Sequence, residues 1–323
     1  MSTPNAVPTR YSTQSNTEVA GPYLPGSIER AEGPTTSTLE PGSLAAPFAG
    51  LAALAPIGVF DSGMGGLSIV SELRKSLPHE DIVYFGDNAM VPYGGRSDEW
   101  LRARSSEITR FLLDRGAKAI VVACNTASAA GLEHLRARYP LPIVGLVPAV
   151  KPAVAATRTR TVGVLATHAT MRGRLLSDVI DRFAVPAGVE VVTVAPDGLV
   201  EAVERGDLDS TATADAVRRA VEPMLEQGAD AIVLGCTHYP YLAPLIREVA
   251  GDGVLIIDAG EGVARQTARV LAARNLGTPS TGTGALAVYT SADPDQVRPL
   301  VHRLVGEPVE VLPALTPEGT RAE

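Results

Sequence analysis

The sequence predicts an α/β protein of two similar α/β domains, with mainly parallel sheets facing across a cleft, plus a disordered N-terminal extension. Three observations predict this. From residue 57 onward, short apolar runs alternate with stretches of helical length, the signature of parallel strands covered by helices on both faces. One phrase occurs nearly twice: GAKAIVVACNTAS at 116–128 and GADAIVLGCTHYP at 228–240. Each copy opens on Gly-Ala after a helical stretch and reaches a cysteine, and Cys124 and Cys236 are the chain's 2 cysteines. Finally, IGVF stands ahead of Cys124 much as VGVL stands ahead of Cys236, so the repeat is larger than the cysteine phrase. The expected bounds are a disordered extension at 1–55, a first domain at 56–148 and 257–312, a second at 149–256, and a C-terminal tail at 313–323.

Residues 1–55 are rich in Pro, Ser, Thr, Gly and Ala and poor in large apolar side chains, a composition that favours disorder. Their Ala-rich end has the alternative of a short helix packed on the body. Order begins at IGVF (57–60), four apolar residues bounded by Pro56 and Asp61. DSGMGGLS follows as a Gly-rich turn, and SIVSELRKSL as a helix. DIVYFGD (81–87) is the next strand. SDEWLRARSSEITRFLLDRG is a helix with Ser97 or Asp98 as cap and Gly116 at its end, and AIVVAC is the strand after it. TVGVLAT (161–167) and VEVVTVA (189–195) are strands. TADAVRRAVEPMLEQG is a helix closed by Gly228 that leads into AIVLGC. VLIIDAG (254–260), the helix EGVARQTARVLAAR and a last strand, ALAVYTS, complete the body.

Of the 323 residues, 45% are hydrophobic and 20% charged, enough to bury a sizeable core. The net charge is −8 with no compensating basic block, which argues against a nucleic-acid partner. Two cysteines are no disulfide framework and read as reduced thiols of a cytoplasmic protein. Residues 1–20 lack the basic start and apolar core of a signal peptide. SLAAPFAGLAALAP (43–56), the longest candidate for insertion, is broken by Pro47 and shorter than the roughly 20 residues of a spanning helix. No membrane partner is expected.

In parallel α/β sheets, ligands sit outside the carboxyl ends of the strands. Cys124, Cys236, Asp61 and Thr167 all fall at such ends. Taken singly, either cysteine reads as an inert buried thiol. Their matched contexts change the balance, because Asn125-Thr126 and Thr237-His238 are poor continuations of a buried strand and good anion donors at a helix N-terminus. There the free N–H groups and the helix dipole favour the thiolate, so little help is needed to lower a thiol from its usual pKa of roughly 8.5. Two equivalent bases in facing halves suit inversion of a carbon centre, with a proton removed on one face and delivered on the other. DSGMGGLS has neither Walker nor dinucleotide spacing. Lys75, Lys118 and Lys151 are the only lysines, and none lies at a strand's carboxyl end to form a Schiff base. Two cysteines and His238 are too few for a closed zinc site. Cofactor-free proton transfer, with no metal, is the economical reading.

The stretches GVFDSGMGGLS (58–68), YFGDNAMVPYG (84–94), VVACNTASA (121–129) and VLGCTHYP (233–240), in this order, resemble the glutamate racemases of the aspartate/glutamate racemase superfamily over about residues 57–260. The resemblance implies two-base racemisation of glutamate without pyridoxal phosphate or metal, D-glutamate supply for peptidoglycan, and a homodimer. It assigns the α-proton of D-glutamate to Cys124 and that of L-glutamate to Cys236. Asp61 then assists near Cys124 and the substrate ammonium, and His238 assists Cys236. Ser62, Tyr93 and Gly94 hold the substrate's side-chain carboxylate, and Asn125, Thr126 and Thr237 surround its α-carboxylate and amino group. Thr167 and Thr170 keep the family's threonine spacing. Glu204 matches an acid behind the imidazole, with Glu201 as the alternative. Asn88 stands where many members have Thr, Ala169 where Gly is common, and VPAVKP (147–152) replaces another segment. His134 and His168 read as structural, His168 lying nearer the site. Closure of the two halves is expected to exclude water and place both sulfurs.

Overall fold

A computed structural model of the chain describes residues 9–11 and 52–314. Two sheets organise it. The first runs through β2 (Ile57–Asp61), β3 (Ile82–Gly86), β4 (Ala119–Val122), β5 (Ile143–Gly145), β10 (Leu286–Thr290) and β11 (Val311–Pro313), in the order β11-β10-β3-β2-β4-β5. The second contains β1 (Thr9–Tyr11), β6 (Thr161–Ala166), β7 (Glu190–Val194), β8 (Ala231–Gly235) and β9 (Leu255–Ile257), in the order β1-β7-β6-β8-β9. Every pairing is parallel except β1 against β7. The stretches β3-β2-β4-β5 and β7-β6-β8-β9 follow the same plan, so the two halves share a topology as well as a phrase.

Alternation along each strand feeds two packed layers per sheet. Ile57, Val59, Tyr84 and Val121 pack with Leu67, Val70 and Leu73 of helix α1 (Leu67–Ser76). Phe60, Phe85, Ile120 and Val122 meet Leu101, Ile108 and Leu112 of α2 (Asp98–Leu113) on the other face. In the second sheet, Leu165, Val192, Ile232 and Leu234 face one layer and Val162, Val164, Ala231 and Val233 the other.

The repeated Gly-Ala has a mechanical origin. Helix α2 starts on Ser97, whose hydroxyl accepts from Trp100 N at 3.2 Å, and it ends at Gly116 with φ +80°. Ala117 N then bonds Leu112 O at 3.1 Å and Gly116 N bonds Leu113 O at 2.8 Å, the paired closure of a Schellman motif. The helix Thr211–Glu226 of the second half repeats this: Gly228 has φ +85°, Ala229 N reaches Met224 O at 3.0 Å and Gly228 N reaches Leu225 O at 2.8 Å. Only glycine adopts this left-handed turn at little cost. Each motif turns the chain straight into a buried strand that ends one or two residues before a cysteine.

Three expectations change. ALAVYTS is not the last strand: β11 follows and pairs parallel to it, with Pro313 inside the strand. β5 carries no expected strand, being only 3 residues long after a proline-rich turn. Within the stretch expected to be disordered, Thr9–Tyr11 is an edge strand on β7, and Ala53 is buried with its carbonyl accepting from Lys118 Nζ at 2.6 Å. The rest of 1–51, with most of the stretch weighed for membrane insertion, and the tail from 315 lie outside the described residues. Among the described residues no helix is long and apolar enough to cross a membrane.

Lys118 also forms a buried ion pair with Glu80 at 2.5 Å, with side-chain exposures of 2% and 3%. Removing one partner strands a charge, so Lys118→Ala is expected to cost about 3–5 kcal/mol in urea unfolding. A Lys118→Met, Glu80→Leu double variant is expected to recover most of that loss. A single variant as stable as the parent would show that the pair contributes nothing.

Candidate active site

Because every strand except β1 runs parallel within its sheet, their carboxyl ends share one edge. Asp61 ends β2, Cys124 follows β4, Thr167 follows β6 and Cys236 follows β8. β2 pairs with β4, and β6 with β8, so each half offers one adjacent couple. The two couples meet at a cavity of about 260 Å³, below the roughly 300–1,000 Å³ of sites for drug-sized ligands. Both cysteines line it, with Ser62, Tyr93, Gly94, Asn125, Thr126, Thr167, Thr237 and His238. The sulfurs therefore share one ligand-sized space.

Cys124 caps the helix α3 (Asn125–Arg138), its sulfur accepting from Ala127 N at 3.4 Å. That bond favours a thiolate, as the sequence suggested, but burial outweighs it. Burial first, and then the nearby Asp61 carboxylate, push the Cys124 thiol well above its ordinary range. Asp61 is itself fully buried, and burial raises its carboxyl against the opposing pull of the His238 charge. Its Oδ2 accepts from Gly66 N at 2.6 Å and from Thr237 Oγ1 at 3.1 Å. Asp61 lies behind the cavity wall beside Cys124, so a direct contact with a substrate ammonium does not follow from this geometry.

The Cys236 side is built differently. His238 Nδ1 lies 3.6 Å from Cys236 Sγ and 3.4 Å from Thr237 Oγ1, while Nε2 meets Glu204 Oε1 at 2.7 Å. Burial opposes a charge on this ring. The hydrogen bonds to Cys236 and Glu204 overcome it and hold the imidazolium well above the ordinary range. Burial likewise works against the Glu204 carboxylate, but the bond to His238, with those from Met64 N at 2.7 Å and Asn88 Nδ2 at 2.8 Å, brings its carboxyl below the usual range. The geometry separates the two acids left open by the sequence. Glu204, at the end of helix α4 (Leu199–Glu204), touches His238, whereas Glu201 lines the cavity with its side chain exposed. Glu204 does not itself line the cavity.

The Gly-rich turn after β2 makes room for this group. A Cβ on Gly63 would collide with the Glu204 carboxylate, and one on Gly65 with the His238 ring. The turn is a seat for two second-half side chains. Glycines at a strand-to-helix turn carry that signal of close approach, but the sequence does not name the partner.

Around the rest of the cavity, Thr126 Oγ1 and Thr167 Oγ1 lie 2.9 Å apart, and Thr167 Oγ1 is 3.0 Å from Thr170 Oγ1. Thr170 supports Thr167 from outside the lining. Tyr93 lines the cavity with its hydroxyl donated to Asp87, which Arg104 grips through Nε at 2.8 Å and Nη2 at 2.7 Å. Its hydroxyl is thus engaged away from a ligand. Asn125 Nδ2 is buried with no hydrogen-bond partner, a free donor at the cavity wall and at a helix N-terminus. Among the described residues no lysine or arginine lines the cavity. Pro92, from the YFGDNAMVPYG stretch, also lines it, and Gly95, Pro196, Asp197, Gly198 and Val200 do so without a sequence signal. His168, read as structural, also lines it and pairs with Asp197 at 3.7 Å, both well exposed. His134 is elsewhere, 3.2 Å from Ser106 Oγ. Lys118 is committed to its ion pair. Among the described residues no group of 3 or more His, Cys, Asp and Glu side chains is placed to hold a metal ion.

A family profile described as Asp/Glu/Hydantoin racemase matches residues 67–267. A curated glutamate racemase from Deinococcus radiodurans is 52% identical over 249 residues, 77% of this chain and 86% of that protein. Among solved structures, a glutamate racemase isoform from Bacillus anthracis aligns with a TM-score of 0.73 at 31% identity, covering 80% of this chain and 96% of that one. A glutamate racemase from Francisella tularensis in complex with D-glutamate aligns with a TM-score of 0.72 at 28% identity, covering 82% and 98%.

The imidazolium depends on its carboxylate partner. Glu204→Gln is therefore expected to lower the titration midpoint of His238 markedly, followed by ring-nitrogen NMR. A midpoint unchanged by the substitution would show that Glu204 does not set the charge on His238.

Proposed function

The chain belongs to the Asp/Glu/hydantoin racemase family, and from that membership we propose that it is a cofactor-independent, two-base racemase interconverting L- and D-glutamate. The observation that carries this is the shared cavity: one sulfur from each half, at equivalent strand ends, opening on the same small space. The identity of about half of the residues to a glutamate racemase over three quarters of the chain supports glutamate as the substrate. The product D-glutamate serves peptidoglycan synthesis.

In the L-to-D direction, Cys236 takes the α-proton of L-glutamate, with the His238 imidazolium donating to its sulfur before that transfer. The electron pair left on the α-carbon spreads into the α-carboxylate. The Cys124 thiol, kept protonated by burial, delivers its proton to the opposite face, which yields D-glutamate and a Cys124 thiolate beside Asp61. The D-to-L direction exchanges the roles. The α-hydrogen is a far weaker acid than a thiol, so the site must stabilise carbanionic charge. Asn125 Nδ2 and the first N–H groups of α3 support a place for a carboxylate next to Cys124. Ser62, Tyr93 and Gly94 shape the wall for the side-chain carboxylate, and Thr126, Thr167 and Thr237 supply hydroxyls around the α-substituents. In this reading 56–148 with 257–312, and 149–256, are two domains that close on the substrate. The protein works as a cytoplasmic homodimer, which sedimentation velocity checks directly.

Incubation in D₂O is the deciding experiment. L- and D-glutamate are each expected to exchange their α-hydrogen, and L-aspartate to exchange far more slowly. Cys124→Ser and Cys236→Ser are each expected to lower kcat by at least about 10²-fold with the fold intact by circular dichroism. A protein that binds glutamate yet leaves its α-hydrogen unexchanged is a binder and not a racemase. Full turnover in either serine variant would refute the two-thiol scheme.

A further inference from the structure

We infer that Asn88, itself held by Thr290, is a positioning residue for the Cys236 base, acting through Glu204 and His238. Its role presupposes the two-thiol reaction. Asn88 lies in the loop after β3, in the half that contributes Cys124, yet its side chain serves the other sulfur. Thr290 Oγ1, fully buried at the end of β10, accepts from Ala292 N at 3.1 Å and donates to Asn88 Oδ1 at 2.9 Å. An ionised carboxylate only accepts, so the amide turns its nitrogen to Glu204 and leaves Oδ1 to accept from Thr290. Asn88 Nδ2 therefore donates to Glu204 Oε2 at 2.8 Å, while Glu204 Oε1 takes Met64 N and His238 Nε2, each at 2.7 Å. The chain ends at His238 Nδ1, 3.6 Å from Cys236 Sγ.

Each link leaves the next one orientation. Glu204 needs both oxygens occupied to hold its carboxylate toward the imidazole, and Asn88 is the side chain that occupies Oε2. Among the described residues, the charged and titratable groups that bear on Glu204 include His238, Asp61, Tyr84 and Tyr241, and His238 is the cation among these. Without the Asn88 donor, the balance moves toward a protonated Glu204 and a neutral His238. Because Asn88 and Glu204 sit in different halves, the bond forms only when the halves are in register, so Cys236 gains its imidazolium in the arrangement that also presents Cys124.

Two substitutions in the full-length enzyme test this by their pH profiles. Asn88→Ala removes the donor, and kcat is expected to fall about tenfold while KM for glutamate changes less than about twofold. Its acidic limb is expected to move to higher pH, since an unsupported Glu204 takes a proton earlier as the pH falls. Asn88→Asp keeps the shape and donates to Glu204 only when protonated, so its alkaline limb is expected to move to lower pH. A purely structural role would reduce activity alike at every pH in both variants. Unmoved limbs, or Asn88→Asp with a wild-type profile, overturn the proposal. If Asn88→Ala fails to fold, the near-isosteric Asn88→Asp still decides. α-Hydrogen exchange by the wild-type enzyme in D₂O separates the two levels: its absence removes the two-thiol reading and this role together, while exchange with unshifted profiles removes only the role of Asn88.

Discussion

The Glu204 carboxylate is the point on which the site closes. It accepts from Met64 N and Asn88 Nδ2 of the first half and from His238 Nε2 of the second. A largely buried carboxylate survives only when its oxygens are well supplied with donors, and these donors come from both sides of the cleft. The same constraint explains the glycines of the DSGMGG turn, since side chains on Gly63 and Gly65 would occupy the volume of the carboxylate and the imidazole. It also explains why the halves meet at the strand ends, where Thr237 Oγ1 reaches Asp61 and Ser68 Oγ reaches Thr237 O at 3.0 Å.

The halves are alike in scaffold and unlike in chemistry. A helix closed by a left-handed glycine, a buried central strand and a cysteine just past its end recur in both. The partner of the sulfur does not recur. Cys124 sits beside a buried carboxyl and is held as a thiol, whereas Cys236 sits beside an imidazolium braced by a carboxylate. A reaction that removes a proton on one face and returns it on the other needs this inequality at any instant, because one sulfur must hold a proton while the other accepts one. Symmetry of the fold places two sulfurs, and asymmetry of their neighbours gives them different surroundings.

Much of this was legible in the sequence, for physical reasons. Long buried strands such as Ile57–Asp61 and Ala231–Gly235 announce themselves as apolar runs, and Gly116 and Gly228 mark helix ends because few other residues accept that turn. Short edge strands do not: Ile143–Gly145 and Val311–Pro313 gain their identity from the neighbour they pair with. The cysteines were legible through their repeated context. The raised Cys124 thiol was not, because local sequence shows the helix N-terminus and hides the depth of burial. Glu204 was the match and Glu201 stayed open beside it for a related reason: both lie on one short helix, and only tertiary placement shows which one meets His238.

Among the described residues, the wall of the cavity has donors but no lysine or arginine. In the proposed reaction, neutral donors at a helix N-terminus, among them the unpartnered Asn125 amide, strengthen their bonds as charge flows from the α-carbon into the carboxylate. His238 is the positive charge that bears on Cys236.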